Sequence, residues 1–229
     1  MTPESMPALR QILLLNPNTS AATTEMMVAV ARAALPADCC VAGATATRGV
    51  PMIVTPAELE ASEEQVHRLW HSAGADWDGV IVSCFGDPGV QALEEKIARP
   101  VVGICAAAML EAAHNGRRFG IATTTPDLQH VIHGHAHRLG FAAQYSGIRV
   151  TAGEPHALVQ DHKRLHQAMA QAIQACIDED AAEAVIIGGG PLGRIAQALQ
   201  ADFAVPLISP IAAAARQLQA RTAAAAIAA

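Results

Sequence analysis

The chain has 229 residues, of which 52% are hydrophobic, and a formal net charge of −6. An apolar fraction of this size suffices for one large core or for two compact lobes. Because 21 acidic residues face only 15 lysines and arginines and no basic run occurs, the sequence lacks the positive patch typical of proteins that bind nucleic acid or acidic membranes. We therefore expect a small-molecule partner, and neither nucleic acid nor a membrane.

The N-terminus and the cysteines indicate the compartment. No apolar run reaches the ~18 residues of a membrane-spanning helix, and MTPESMPALRQ has an acid where a secretion signal needs basic residues. The cysteines are odd in number and lack CxxC spacing, which predicts neither a disulfide framework nor structural zinc. We expect a cytoplasmic protein whose cysteines are mostly core filler. They are Cys39, Cys40, Cys84, Cys105 and Cys176.

Short apolar runs alternate with longer alanine-rich segments along the chain. In chain order they are QILLLN (11–16), CCVAGAT (39–45), GVIVSC (79–84), PVVGIC (100–105), RFGIAT (118–123), SGIRV (146–150), AVIIG (184–188) and VPLIS (205–209). Continuous apolar runs separated by helical stretches are typical of parallel strands covered by helices on both faces. The sequence therefore predicts an α/β fold.

The order of these segments repeats. ILLLNPNTSAATTEMM (12–27) and FGIATTTPDLQHVI (119–132) each run from a strand through a Thr-rich turn into a helix. About 65 residues after each comes a strand with a glycine-containing turn, GVIVSCFGDPG (79–89) and AVIIGGGPLGR (184–194). This repeat predicts two pseudosymmetric four-stranded parallel-sheet lobes with an interlobe active-site cleft.

The repeat also predicts the domain boundaries. Lobe 1 is expected at residues 1–114 and lobe 2 at residues 115–209. The alanine-rich C-terminal helix, residues 210–229, is expected to pack back on lobe 1.

Four polar turns follow predicted strands, and ligands of open parallel sheets bind beyond the carboxyl ends of the strands. The turns offer neutral side-chain donors, Thr125 among them, together with backbone amides. Such groups suit a carboxylate, an imide or another developing oxyanion. Any single Asn, Ser or Thr here also fits an ordinary helix cap, but the convergence of four turns favours binding. The predicted substrate-binding residues are Asn16, Asn18, Thr19, Ser83, Phe85, Thr123, Thr124, Gly188, Gly189 and Gly190.

Cys84 stands where the third predicted strand meets a turn and a following helix. A helix dipole and nearby N–H donors would lower the pKa of a thiol at such a position and make thiolate available near neutral pH. A cysteine in an apolar run is otherwise usually packing. Its position favours Cys84 as the catalytic residue.

The strings NPNTS, SCFGDPG, ATTTPDL and VIIGGGPLG together resemble the aspartate/glutamate/hydantoin racemase superfamily, most closely its hydantoin and allantoin racemase branch, over about residues 11–215. The resemblance implies two pseudosymmetric α/β lobes, a homo-oligomer, and no metal or pyridoxal cofactor. It also implies one catalytic cysteine in each half, of which one removes the substrate proton and the other returns a proton on the opposite face.

This chain departs from that pattern in two places. Cys84 matches the first cysteine, but Gly189 stands where the family has the second. In VPLISPI, Ser209 and Pro210 replace an acid followed by glycine. Without a second acid or base on the opposite face, a symmetric two-thiol racemisation cannot run.

Several mechanisms remain open for a chain with one matching thiol. Cys84 could protonate an enolate on one face; arylmalonate decarboxylases of the same superfamily also keep one cysteine, in the other half. It could instead attack a carbonyl, imine or alkene carbon, as is thought for maleate isomerase, in an isomerase, lyase or hydrolase. Another group, such as Cys105, could replace the missing thiol. The alternative to an enzyme is a non-catalytic protein that binds a small acid.

The string GGGPLG formally satisfies the GxGxxG pattern of dinucleotide sites. The acid expected at the end of the next strand is absent, since that position falls near Ser209. A phosphate-binding P-loop is excluded because Arg194 stands where Lys–Ser/Thr is required. We interpret the string as an open anion cradle that the missing side chains leave roomy.

Two further candidate chemistries lack support. His130, His133 and His137 share a helical face, but no carboxylate or thiol accompanies them, so we predict no metal site. Lys96 and Lys163 lie in charged helical stretches away from strand ends, which disfavours a Schiff-base mechanism. We therefore expect a reaction that needs no cofactor.

Overall fold

The computed structural model describes residues 11–74 and 76–228, so the expected start of lobe 1 at residue 1 and the last residue of the C-terminal helix lie outside the described residues. Two four-stranded parallel sheets form, with strand orders β2-β1-β3-β4 and β6-β5-β7-β8. The predicted α/β class and the two four-stranded sheets are confirmed. The strands are β1 Gln11–Asn16, β2 Cys40–Thr45, β3 Gly79–Val82, β4 Val101–Gly103, β5 Phe119–Thr123, β6 Tyr145–Val150, β7 Ala184–Gly188 and β8 Leu207–Ile208.

Helices connect the parallel strands. The α-helices are α1 Ala21–Ala33, α2 Pro56–Ala73, α3 Val90–Glu94, α4 Ile104–Ala112, α5 Gln129–Arg138, α6 Pro155–Gln160, α7 His162–Asp178, α8 Ile195–Leu199 and α9 Pro210–Ala228. Short 3₁₀ turns cover His114–Gly116, Pro126–Leu128, Gly190–Leu192 and Gln200–Asp202. Among the described residues, no helix combines the length and the apolar character needed to cross a bilayer.

Local sequence explains several boundaries. Ser20 caps α1, accepting a hydrogen bond from the Thr23 amide. Thr55 and Glu58 form a reciprocal capping box at the start of α2, and Pro56 occupies the first helical position, where its missing N–H costs nothing. The inner strands β3 and β7 are buried along their whole length, which is why they are continuous apolar runs.

One hydrophobic core joins the two sheets. It contains Ile12 and Ile81 from the first sheet, Ile121 and Ile186 from the second, and much of α4 and α9. Helix α9 packs against α1, α4, β3 and β4, and it also contacts β7. The lobe boundaries near 114 and 209, and the assignment of α9 to lobe 1, stay predictions.

The carboxyl ends of β1 and β5 are equivalent. The amide of Ala46 donates to the carbonyl of Asn16, the last residue of β1, at 3.0 Å. In the second sheet the amide of Thr151 donates to the carbonyl of Thr123, the last residue of β5, at 2.9 Å. Asn16 and Thr123 therefore hold the same position in their sheets.

The neighbouring strands extend this equivalence to the glycine-containing turns. The last residue of β5 pairs directly with Gly188. Continuing the β1–β3 register by one residue places Ser83 beside the last residue of β1. Gly188 thus corresponds to Ser83, and Gly189 corresponds to Cys84.

Candidate active site

A cavity lies at the carboxyl ends of the central strands and has walls from both sheets. All of its lining side chains are uncharged, and they form a polar side and an apolar side. The lining residues are Asn18, Met52, Ile53, Ser83, Cys84, Phe85, Thr124, Thr125, Leu128, Ile132, Gly188, Gly189, Gly190, Pro191 and Leu192. The polar turns singled out in the sequence therefore meet at one cavity.

The structure brings most, though not all, of the predicted site residues to this cavity. Asn16, Thr19 and Thr123 do not line it. Much of the apolar side was absent from the predicted site, because these residues carry no polar motif. The missed residues are Met52, Ile53, Leu128, Ile132, Pro191 and Leu192. The only available signal was position, since Met52 and Ile53 follow another carboxyl end, that of β2.

Asn16 holds the first polar turn together. It is fully buried, and its side-chain nitrogen donates to Asn18 Oδ1 at 2.9 Å and to Thr24 Oγ1 at 2.9 Å. Asn18 Oδ1 also accepts from the Ser20 amide at 2.9 Å. With its oxygen committed in this way, Asn18 has its NH₂ group available to donate to a ligand.

On both sides of the cavity, a side-chain hydroxyl at one strand end forms a hydrogen bond with a backbone carbonyl of the neighbouring strand. Ser83 Oγ donates to the Leu15 carbonyl at 2.9 Å, and Thr123 Oγ1 donates to the Gly188 carbonyl at 2.7 Å. These hydrogen bonds fix the positions of the two glycine-containing turns. Thr124, next along the chain, lines the cavity.

The glycines of the second turn allow close packing instead of leaving an open cradle. A Cβ atom on Gly188 would lie 3.2 Å from the Phe85 ring, and one on Gly190 would lie 3.1 Å from the Ser83 carbonyl. Gly189 has φ +148°, a conformation that residues with side chains rarely adopt. The expectation of a roomy anion cradle was therefore wrong at Gly188 and Gly190, where Ile121, Met27 and the Cys84 turn fill the space.

Cys84 is a buried, protonated thiol. Its residue is 9% exposed, and burial, followed by the nearby Asp87 carboxylate, raises its pKa to about 12. The expected lowering of this pKa was wrong because no helix begins at the thiol. Helix α3 starts only at Val90, after Gly89, and has five residues.

Cys105 lies behind the Cys84 turn and does not line the cavity. Burial and then Asp87 raise its pKa well above the usual value. Its sulfur, an Asp87 oxygen and a His135 nitrogen lie within 4.8 Å of one another, a spacing that a metal ion could use. Arg138 donates to His135 Nδ1 at 3.1 Å, which leaves the proton on Nε2 facing Asp87. A hydrogen-bonded network fits this geometry better than a cation, because a protonated nitrogen cannot be a ligand.

The histidines weighed in the sequence as metal ligands lie elsewhere on α5. His133 and His137 stack with ring centroids 4.4 Å apart, and His133 also meets the Tyr145 ring edge-on at 5.5 Å. His130 is exposed in the first turn of this helix. The group near Asp87 includes none of the three.

Comparison with known proteins gives independent evidence for the family of this chain. Residues 12–218 match the model of a family described as Asp/Glu/hydantoin racemase. The chain is similar to hydantoin racemase of Paenarthrobacter aurescens, with 27% identity over 214 residues, covering 90% of this chain and 88% of that protein. The matched range includes both sheets and every residue that lines the cavity.

Two solved structures of allantoin racemase resemble this fold. That from Klebsiella pneumoniae has a TM-score of 0.87 and 29% identity, covering 94% of this chain and 89% of that chain. That from Pseudomonas fluorescens has a TM-score of 0.89 and 23% identity, covering 94% and 92%. The second likeness, at its lower identity, shows the fold alone.

Proposed function

The chain belongs to the Asp/Glu/hydantoin racemase family, and from that premise we propose that it is a racemase-type enzyme in which Cys84 is the only catalytic thiol. The reaction passes through an enolate or carbanion next to a carbonyl group of a small substrate. One observation carries this proposal: Cys84 has a protonated thiol, and the equivalent position of the second sheet is Gly189, which has no side chain. Hydantoin and allantoin racemases among its relatives support this chemistry.

The raised pKa of Cys84 favours the role of an acid. At neutral pH the thiol holds its proton and can deliver it to a carbanion, so that a C–H bond forms as the S–H bond breaks. The resulting thiolate regains a proton from water. A thiolate nucleophile is disfavoured in the unliganded protein, because a thiol with a pKa of about 12 is almost entirely neutral at pH 7.

A single thiol limits the net reaction. Removal of a substrate proton needs the minor thiolate form of Cys84. If that thiolate takes a proton and the thiol then returns one to the same face, the carbon exchanges hydrogen slowly but keeps its configuration. A net reaction on one face follows when the carbanion arises by loss of another group, such as a carboxylate that leaves as carbon dioxide. We therefore place one-face protonation ahead of racemisation. Cys105 does not supply the second thiol in this proposal, because it lies outside the cavity lining.

The residues that line the cavity support a proposal for the substrate class. Asn18 NH₂, the Thr124 and Thr125 hydroxyls and the turn amides can bind the oxygens of a cyclic amide or of a carboxyl group at the reacting carbon. The apolar side fits an uncharged substituent. No charged side chain among the described lining residues would pair with a distal carboxylate such as that of aspartate or glutamate. Hydantoin-like rings or carboxylic acids with an apolar substituent therefore fit best.

A matched pair of variants tests the proposal. Wild type, Cys84→Ala and Cys105→Ala are assayed with 5-alkylhydantoins, allantoin, arylmalonates, aspartate and glutamate. We expect activity on at least one apolar-substituted compound, its loss in Cys84→Ala and its retention in Cys105→Ala. A folded Cys84→Ala variant with wild-type turnover would refute the role of the thiol. A covalent Cys84 adduct seen by mass spectrometry during turnover would show that Cys84 acts as a nucleophile and not as an acid.

A further inference from the structure

The turn that carries Cys84 separates two cavities. Cys84 and Phe85 line the candidate active site. On its other side, Gly86, Asp87 and Gly89 line a second cavity together with His135. A group that contacts the turn from this second side can act on the thiol without touching the substrate.

Asp87 connects this turn to helix α4. Its carboxylate accepts hydrogen bonds from the Cys105 amide at 2.8 Å and from the Ala106 amide at 2.7 Å, both in the first turn of the helix. Its own amide donates to the Cys84 carbonyl at 3.0 Å. One residue thus holds the backbone of the catalytic turn and the N-terminus of α4.

The backbone around Asp87 is adapted to this position. Asp87 has φ +53°, in the left-handed region that non-glycine residues enter at a cost. A Cβ atom on Gly103 would lie 2.2 Å from the carboxyl carbon of Asp87, so a larger residue at 103 would displace the carboxylate. The side chain itself is almost fully buried.

His135 completes the contacts of the carboxylate. Its Nε2 lies 3.4 Å from Asp87 Oδ2, and Arg138 donates to its Nδ1, which fixes the tautomer that has a proton on Nε2. The residue facing Asp87 from α4 is Cys105. The other charged residues of the second cavity are Glu63, Glu94, Glu95 and Arg221.

We propose that Asp87, held by His135 and by the amides of α4, is a positioning residue that fixes the Cys84 turn against the cavity and opposes ionisation of the thiol. The proposal rests on the proposed function, because it concerns the same thiol. Asp87 lies in the same turn as the thiol, where its amide donates to the Cys84 carbonyl, and its charge is the second cause of the raised Cys84 pKa after burial. If Asp87 only capped α4, its substitution would affect folding but would leave the reactivity of the Cys84 thiol unchanged.

Alkylation of Cys84 by iodoacetamide, followed by peptide mass spectrometry across a pH series, separates these roles without a substrate. We expect Asp87→Asn to speed alkylation at pH 8 by about tenfold, the factor that one pKa unit gives. His135→Leu removes an N–H donor and leaves the negative charge of the Asp87 carboxylate less compensated, so alkylation of the thiol should slow. His135→Gln, which restores an N–H donor, should return the rate toward wild type, and His130→Gln on the exposed start of α5 should have no effect.

Thermal unfolding of each variant controls for lost structure. If Asp87→Asn does not fold, the slower alkylation expected in His135→Leu and its recovery in His135→Gln still test the proposal, because neither change touches the α4 amides. Equal alkylation profiles in wild type, Asp87→Asn and His135→Leu would overturn it. That result would leave the proposed function standing, whereas wild-type turnover by Cys84→Ala would remove the proposed function and leave the alkylation data intact.

Discussion

Cys84 and Gly189 occupy equivalent positions in the two sheets. Each is the residue after the one that lies beside the last residue of β1 or β5. The equivalence follows from strand register and from matching amide hydrogen bonds at the ends of β1 and β5. A fold built from two similar halves therefore presents a thiol on one side of its cavity and a bare backbone on the other.

Placing a thiol at position 189 should lower the stability of the fold. With φ at +148° and Leu192 3.3 Å from the new Cβ, any side chain there is strained. We expect Gly189→Cys and Gly189→Ala to lower the free energy of unfolding by about 1–3 kcal/mol each, as measured by chemical denaturation. The alanine variant has the same strain without the sulfur. Racemisation that rises in the cysteine variant alone would support a lost second thiol, and two folded variants with equal activity would count against it.

The two asparagines of NPNTS should separate into a structural and a binding role. Asn16→Ala removes a buried donor of several hydrogen bonds, and we expect a loss of about 2–3 kcal/mol in the free energy of unfolding. When both losses are expressed in kcal/mol, Asn18→Ala should lower kcat/KM more than it lowers the free energy of unfolding, because Asn18 lines the cavity. Urea unfolding and steady-state kinetics on both variants check this, and the reverse pattern would contradict it.

Much of this arrangement was predictable from the sequence. Parallel strands buried on both faces produce apolar runs, so the two four-stranded sheets and the meeting of the polar turns were predictable from QILLLN, GVIVSC, RFGIAT and AVIIG. The strand order within each sheet was not predicted. The repeat of strand, polar turn and helix indicated the pseudosymmetry. The thiol and the polar side chains that line the cavity could therefore be named in advance, whereas their roles in binding and catalysis stay predictions.

Other features depend on three-dimensional contacts that spacing does not encode. The pKa of Cys84 is set by burial and by Asp87, and the latter acts through a turn whose left-handed backbone no pattern announced. The pairing of Asp87 with His135 joins residues far apart in the chain. Apolar cavity residues such as Ile132 look like any core residue in sequence, so the apolar side of the site was missed.

Buried thiols should make stability depend on alkaline pH. The folded-state pKa of Cys84 is about 12, above the ordinary 9.0, so the folded protein retains a proton that the unfolded chain loses. The stabilisation is fully present below about pH 9 and is lost as pH rises toward 12, by about 1.4 kcal/mol per pH unit for each such thiol. Cys84→Ala should reduce this slope, measured as the change in the free energy of unfolding with pH, relative to wild type. An unchanged slope in Cys84→Ala would refute the raised pKa.

The apolar side of the cavity predicts which of two hydantoins, differing only in one substituent, reacts faster. Exchange of the ring α-proton should be at least about tenfold faster in kcat/KM for 5-isobutylhydantoin than for hydantoin-5-acetate, because an unpaired carboxylate against the apolar side loses its hydration. Both compounds present the same ring to the thiol, so the comparison isolates the substituent. Equal rates would mean that the substituent points to solvent.

The most direct test of a single-thiol site is proton NMR in heavy water on one enantiomer of 5-isobutylhydantoin, with chiral chromatography of the same samples and an enzyme-free blank. We predict that wild type, through the minor thiolate form of Cys84, incorporates deuterium at the α-carbon faster than the blank, that configuration is retained, and that Cys84→Ala falls to the blank rate. Deuterium entering together with racemisation would contradict the account, because a second acid or base would then be acting on the opposite face.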